Sequence, residues 1–164
     1  MFVKGDFVVN STNGICEIAD VVNMNMSGVD KQYYMLVPVE EKTAKVYIPV
    51  DVAESRIRKV MTKEEAWDII RSISKVEECW VENEKERERI YKEVLGSRDP
   101  KRLIGVIKNL YHRNQERKDA GKKCTAIDER YFKLAENQLH AELAFSIGEE
   151  KQNIKSVILE YVEK

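Results

Sequence analysis

The fold is decided by residues 44–66, AKVYIPVDVAESRIRKVMTKEEA, where one sequence pattern ends and another begins. Before about residue 52, apolar residues fall in short β-branched or aromatic runs between turn-forming residues, which is typical of antiparallel strands. After residue 60, apolar residues recur every three or four positions, which is typical of amphipathic helices. We therefore predict an α+β protein whose strands precede its helices.

The strand-like runs are short and evenly spaced. They cover residues 7–9, 15–22, 33–39 and 44–50. About 50 residues in this pattern suit a small antiparallel β-barrel of Tudor or SH3 type, which closes on itself to protect its edge strands. We assign this barrel to residues 1–55.

Helix signals divide residues 60–164 into about five helices. The clearest signals are a capping box formed by Thr62 and Glu65, a start at Asp99-Pro100, another start at Thr125, and a stop at Gly148. A second helix is predicted over residues 77–95, and a short last helix follows Gly148. The C-terminal part is therefore expected to be an all-helical bundle.

Charge is distributed unevenly in a chain whose formal net charge is only −1. Residues 1–52 contain four lysines and seven acidic residues, whereas residues 98–123 contain nine lysines and arginines and three acidic residues. The second stretch, with a net charge of +6, is the kind of basic patch that attracts phosphate. It is equally compatible with a solvated helix face that binds nothing.

The sequence offers no arrangement that resembles a catalytic, cofactor or metal site. Cys16, Cys79 and Cys124 are too widely spaced for a metal half-site or a disulfide framework. His112 and His140 lie on predicted helices without a carboxylate or cysteine at ligand spacing. No apolar run approaches the roughly 20 residues of a membrane-spanning helix. We expect a cytoplasmic, non-enzymatic protein without cofactor, metal or small-molecule substrate.

The two tryptophans have different surroundings. Trp67 lies beside Ile70 on an apolar helical stripe, which indicates a core position. A helical stripe through Trp80 instead meets Asn83, Glu84 and Arg87. Trp80 either packs on a neighbouring helix or is exposed for a partner, and one exposed role is an apolar wedge in the minor groove of DNA.

Three stretches and the position of Trp80 carry a resemblance to a known family. The stretches are FVKGDFVV at residues 2–9, LYHRNQER at residues 110–117 and LHAELA at residues 139–144. In this order they resemble the CarD/CdnL family of bacterial RNA polymerase-binding transcription regulators over residues 1–147. The opening alone also resembles transcription–repair coupling factors, and Trp80 together with residues 113–117 makes the resemblance more specific.

The resemblance implies that the barrel binds the β subunit of RNA polymerase by extending a sheet. It implies a polymerase-facing surface that includes Met24, Lys45 and Tyr47. Relatives often carry an arginine where this chain has Tyr47. We therefore expect the same surface in this chain but not the ion pair that the arginine forms. Lys45 is expected on the same strand face as Tyr47, because it lies two residues earlier.

The resemblance further implies that the helical domain, residues 60–164, stabilises the open promoter complex. Trp80 would wedge into DNA at the upstream edge of the bubble, and phosphates would be held without base-specific reading. The basic residues implied in this contact are Arg87, Arg113, Arg117 and Lys118. Two alternatives stay open: Arg113 or Arg117 pairs with an internal acid, or the protein is an adaptor that uses the barrel alone.

Overall fold

The structure, a computed structural model, describes residues 1–10, 12–81 and 83–162. The chain divides into two units, Met1–Val60 and Met61–Lys164, each with its own apolar core. Within the described residues, five strands lie in the first unit, and five of six α-helices lie in the second. The predicted α+β class, with strands first and helices second, is confirmed.

The first unit is built on one antiparallel sheet with the strand order β4-β3-β2-β1-β5. Its elements are β1 (Phe7–Asn10), β2 (Gly14–Met26), β3 (Val29–Pro38), β4 (Val46–Pro49), α1 (Ala53–Arg56) and β5 (Ile57–Lys59). Alternate residues face inward, as the pleat of a strand requires, so Ile18, Leu36 and Ile48 are buried on one face. This burial provides the main stabilisation of the unit.

The prediction of a closed barrel is wrong. β4 and β5 are the two ends of the strand order, and no pairing joins them in the described part of the chain. Both strands are short, and β4 ends at Pro49, which has no backbone N–H to donate. Short edge strands and an edge proline limit unwanted pairing without closure of the barrel.

A long hairpin formed by β2 and β3 extends beyond the rest of the sheet. Its strands are joined at Ser27 and Gly28, which both have positive φ angles of 56° and 79°. Two consecutive residues of this kind form the type I′ turn that matches the twist of a hairpin. β4 pairs only with residues 33–36 of β3, so residues 29–32 belong to a two-stranded arm.

The second unit contains α2 (Lys63–Ser72), α3 (Arg87–Ser97), α4 (Pro100–Asp119), α5 (Ala126–Ile147) and α6 (Ile154–Val162). The predicted caps are present. Thr62 Oγ1 accepts from the Glu65 amide at 3.1 Å, and the carboxylate of Glu65 accepts from the Thr62 amide. Asp99 and Thr125 cap α4 and α5, and Gly148 ends α5 in the left-handed conformation.

The helix predicted over residues 77–95 begins ten residues later than expected, at Arg87. Residues 77–81 have no regular secondary structure. They form hydrogen bonds to α4 instead, and such tertiary contacts override a local helical preference. A single 3₁₀ turn, Glu84–Glu86, precedes α3, and the Asn83 side chain caps it by accepting from the Lys85 amide.

We predict that Thr62→Ala lowers the free energy of unfolding of the helical unit by about 1 kcal/mol, because it removes the acceptor that caps α2. Urea denaturation followed by far-UV circular dichroism measures this loss. Thr62→Ser keeps the hydroxyl group and serves as the control. Equal destabilisation by both substitutions would assign the effect to the lost methyl group instead of the cap.

Candidate interaction surfaces

The first candidate surface is the face of the sheet that points away from the apolar core of the first unit. Tyr47 of β4 lies across from Met35 of β3 and is 40% exposed. Ile48, the next residue, is buried in the core. Because side chains alternate along a strand, Tyr47 and Met35 share the outer face. An aromatic ring therefore stands on an edge strand that has one neighbour in the sheet.

Met24 and Lys45 lie at different distances from this aromatic ring. Met24 pairs with Lys31, which lies four residues before Met35 on β3. It shares the outer face with Tyr47 but lies on the hairpin arm, roughly 13 Å farther along the strand direction. Lys45 is exposed and directly precedes β4, so it lies outside the strand on which it was predicted.

The second candidate surface surrounds Trp80 in the helical unit. Its side chain is 74% exposed, which is unusual for the largest apolar side chain. We call residues 76–81 the Trp80 segment. Two residues before Trp80, the carboxylate of Glu78 accepts from Asn109 Nδ2 at 2.9 Å and from His112 Nδ1 at 2.8 Å. The hydrogen bond from His112 is the main cause that lowers the pKa of Glu78.

Arg87 lies inside the helical unit, with 7% of its surface exposed. Its Nε donates to the Tyr91 hydroxyl at 2.8 Å, and its Nη2 donates to Asn109 Oδ1 at 2.6 Å. The guanidinium also lies over the ring of Tyr91, 5.5 Å from its centre. A side chain held in this way stabilises the packing of α3 on α4, and little of it is open to solvent.

Arg113 is committed to two carboxylates. Its Nε donates to Asp128 Oδ2 at 2.6 Å, and its two terminal nitrogens donate to both carboxylate oxygens of Glu84 at 2.7 and 2.8 Å. The hydrogen bonds between the side chains of Arg113 and Glu84 raise the pKa of Arg113 above its ordinary value. They also lower the pKa of Glu84 below its ordinary value. The internal ion pair that the sequence left open as an alternative is therefore formed by Arg113.

Arg117 and Lys118 lie at the C-terminal end of α4. Arg117 Nε donates to the carbonyl oxygen of Lys123 at 2.8 Å and thereby ties the end of the helix to the chain that follows it. Its contact is with a neutral group, so its positive charge is not neutralised there. Lys118 is exposed. The two residues are consecutive on a solvent-accessible turn of the helix.

Sequence reasoning did not identify the residues that organise the second surface. Glu78, Asn109 and Asp128 all accept or donate side-chain hydrogen bonds across the unit. The sequence did carry a signal for Asn109, because this polar residue interrupts the apolar stripe that includes Val106 and Leu110. All three residues are buried in the structure. A polar residue in such a stripe indicates an internal hydrogen-bond partner.

Two of the three cysteines, Cys16 and Cys79, lie where burial disfavours the thiolate. Burial raises the pKa of Cys16 to about 11 and also raises that of Cys79, which disfavours the nucleophilic thiolate at neutral pH. In the same residues, no group of three or more histidine, cysteine or acidic side chains is placed to hold a metal ion. None of the described helices has both the length and the apolar character needed to cross a membrane.

We predict that Arg113→Ala lowers the free energy of unfolding by about 3 kcal/mol, because it leaves the buried carboxylate of Asp128 without its cation. The side chain of Asp128 is only 3% exposed. Arg117→Ala is the matched control and should change stability by less than about 0.5 kcal/mol. Urea denaturation compares the two variants, and equal stability would contradict the internal role of Arg113.

Comparison with known proteins bears on the first unit. No curated protein matches the chain. Residues 2–61 match the family profile of the CarD-like/TRCF RID domain, and this range coincides with the sheet unit. This match supports the conclusion that the chain is a transcription-related protein that interacts with RNA polymerase. The resemblance noted for the opening residues is confirmed: the N-terminal unit of this chain belongs to the CarD-like/TRCF RID domain family.

Proposed function

We propose that the protein is a non-enzymatic transcription regulator that binds the β subunit of RNA polymerase through its sheet unit and stabilises the open promoter complex through its helical unit. The single observation that carries the DNA-binding half of the proposal is the 74% exposure of the Trp80 side chain. The polymerase-binding half rests on the family of residues 2–61.

The edge strand β4 is the proposed site of polymerase contact. An edge strand offers unpaired backbone groups to which a strand of a partner protein can add, while alternate side chains provide specificity. Tyr47 supplies an exposed aromatic ring on this strand, and aromatic rings are frequent anchors in protein interfaces. Lys45 and Met24 extend the surface before the strand and along the hairpin arm.

Trp80 is the proposed contact with DNA. An indole ring that water surrounds loses unfavourable apolar exposure when it inserts between bases or against the minor groove. Such an insertion is easiest where base pairs are already unstacked, because less stacking energy is lost. The upstream edge of a transcription bubble provides this situation. The contact reads the state of the DNA and not its sequence.

Phosphate contact is assigned to Arg117 and Lys118 and not to all of the basic residues considered above. Arg87 and Arg113 are excluded from this role, because their guanidinium groups are engaged by side chains of the helical unit. A phosphate would have to displace those partners. Few phosphate contacts imply a weak dependence of DNA binding on salt compared with proteins that neutralise many phosphates.

An adaptor that binds a protein through β4 and leaves DNA alone is the second candidate function. The internal engagement of Arg87 and Arg113 favours it, because these two arginines, both implied in DNA contact, are held by side chains of the helical unit. The two functions differ in a binding experiment with promoter DNA and polymerase. An adaptor leaves the lifetime of the open complex unchanged, whereas the regulator extends it, with only a weak dependence on salt.

We predict that Trp80→Ala shortens the lifetime of open promoter complexes by about fivefold or more, the loss expected for one aromatic–base contact. Stability should change by no more than about 1 kcal/mol, as for other surface positions. Trp67, which packs partly buried against Tyr161, provides the control. Trp67→Ala should cost about 3 kcal/mol of stability. Complexes of full lifetime with Trp80→Ala would exclude the DNA role.

We predict that Tyr47→Glu weakens binding of the full chain to RNA polymerase by about tenfold, because it places a carboxylate in an apolar contact. Val3→Glu is the control, since Val3 is also exposed but precedes the sheet. Surface-bound polymerase and labelled chain measure both affinities. Residues 1–60 alone, which contain the complete sheet and its core, should also bind polymerase. Equal affinity of the Tyr47→Glu and Val3→Glu variants would show that the interface lies away from β4.

A further inference from the structure

We infer that one face of α4 acts as a docking face that fixes the position of Trp80, with Gly105 as its central positioning residue. This inference rests on the proposed DNA contact of Trp80. It concerns residues that do not touch DNA themselves. Their effect would be to hold the backbone of the Trp80 segment while leaving its indole ring free.

The docking face consists of residues that lie on one side of α4. They are Gly105, Lys108, Asn109 and His112. Their spacing of three, four and seven positions brings them together on successive turns of a helix. Each of them contributes a hydrogen bond to the Trp80 segment.

Backbone groups of the segment are held at two points. The Cys79 amide, directly before Trp80, donates to the carbonyl oxygen of Gly105 at 3.0 Å. Lys108 Nζ donates to the carbonyl oxygen of Val76 at 2.6 Å. Contacts of this kind fix the path of the main chain, which side-chain packing alone would not do.

The side chain of Glu78 supplies the third and fourth contacts. Both of its carboxylate oxygens are occupied, one by Asn109 and the other by His112. A carboxylate held by two donors on successive turns cannot rotate without losing one of them. Hydrogen bonds therefore fix the side chain of Glu78, two positions before Trp80. The bond to Gly105 fixes the backbone amide of Cys79.

Gly105 is the residue that permits this approach. A Cβ atom at this position would lie 3.0 Å from the Glu77 carbonyl oxygen and 3.3 Å from the Cys79 amide nitrogen. Both are backbone atoms of the Trp80 segment, so relief of the contact must displace that segment. A glycine in the middle of a helix has an unfavourable helix propensity, and close approach of another backbone is a physical reason for it here.

Fixation of the segment matters for a wedge that acts by insertion. A side chain already held in its bound position loses less conformational entropy when it binds. Displacement of the segment by a few tenths of an ångström or its release from α4 would place the ring wrongly or leave it mobile. The docking face thus acts on the lifetime of the DNA contact without adding a contact of its own.

The test compares Gly105→Ala with Gly96→Ala in the full chain. Gly96 is the matched control, because it also lies in a helix but a Cβ there meets nothing within 4 Å. In a Trp67→Phe background the fluorescence comes from Trp80 alone, and its anisotropy decay reports local mobility. Open-complex lifetime is measured on the same proteins.

We expect Gly105→Ala to increase the mobility of Trp80 and to shorten the open-complex lifetime by about three- to tenfold, the effect of one lost moderate interaction. Gly96→Ala should change neither quantity. Unchanged mobility and lifetime in Gly105→Ala, when Trp80→Ala shortens the lifetime, would overturn the docking role and leave the proposed function intact. If Trp80→Ala has no effect on the open-complex lifetime, the proposed function fails. In that case the docking role is judged by mobility alone, and unchanged mobility of Trp80 in Gly105→Ala overturns it.

Glu78 gives a second route if Gly105→Ala does not fold. Glu78→Ala removes both side-chain hydrogen bonds and should increase the mobility of Trp80 and shorten the lifetime. Glu78→Gln retains one acceptor oxygen and should give values between those of wild type and Glu78→Ala. This graded rescue is not expected from a general loss of stability, and its absence together with wild-type mobility in Glu78→Ala would overturn the inference.

Discussion

A carboxylate buried in the helical unit is the constraint on which the arrangement of that unit depends. The side chain of Asp128 is 3% exposed, and a buried charge without partners costs several kcal/mol. Arg113 supplies the opposite charge, and the Tyr91 hydroxyl donates a weaker bond. Because these groups come from α4 and α3 while Asp128 belongs to α5, three helices meet at one point. Glu84, on the other side of Arg113, connects the residues before α3 to the same point.

This constraint changes what the basic region of the chain can do. Residues 98–123 carry a net charge of +6 in the sequence, but Arg113 is paired with two carboxylates that lie outside that stretch. The field offered to a nucleic acid is therefore weaker than the count of charges indicates. In the proposed function, the apolar contact of Trp80 is therefore joined by an electrostatic attraction to which Arg113 does not contribute.

The sequence predicted features that arise between near neighbours and failed where distant residues interact. Strand alternation and the caps of α2, α4 and α5 depend on residues only a few positions apart, so they were read correctly. The prediction of helix failed at residues 77–81, because the Cys79 amide is held by the carbonyl oxygen of Gly105, 26 positions away. The spacing of Arg113 and Arg117 shows that they share a helical face, but it does not show that Asp128 faces only the first of them.

The unequal lengths of β3 and β4 give the sheet a stepped edge. β3 has ten residues and β4 has four, and after Pro49 the chain leaves the sheet in a 3₁₀ turn, where Asp51 reaches Lys31 at 3.8 Å. A partner strand that runs alongside β4 reaches the end of the available ladder after roughly 13 Å. So short a ladder permits only a few main-chain hydrogen bonds. Association through it would be readily reversible, and exchange of the protein on and off polymerase would be governed by dissociation more than by encounter.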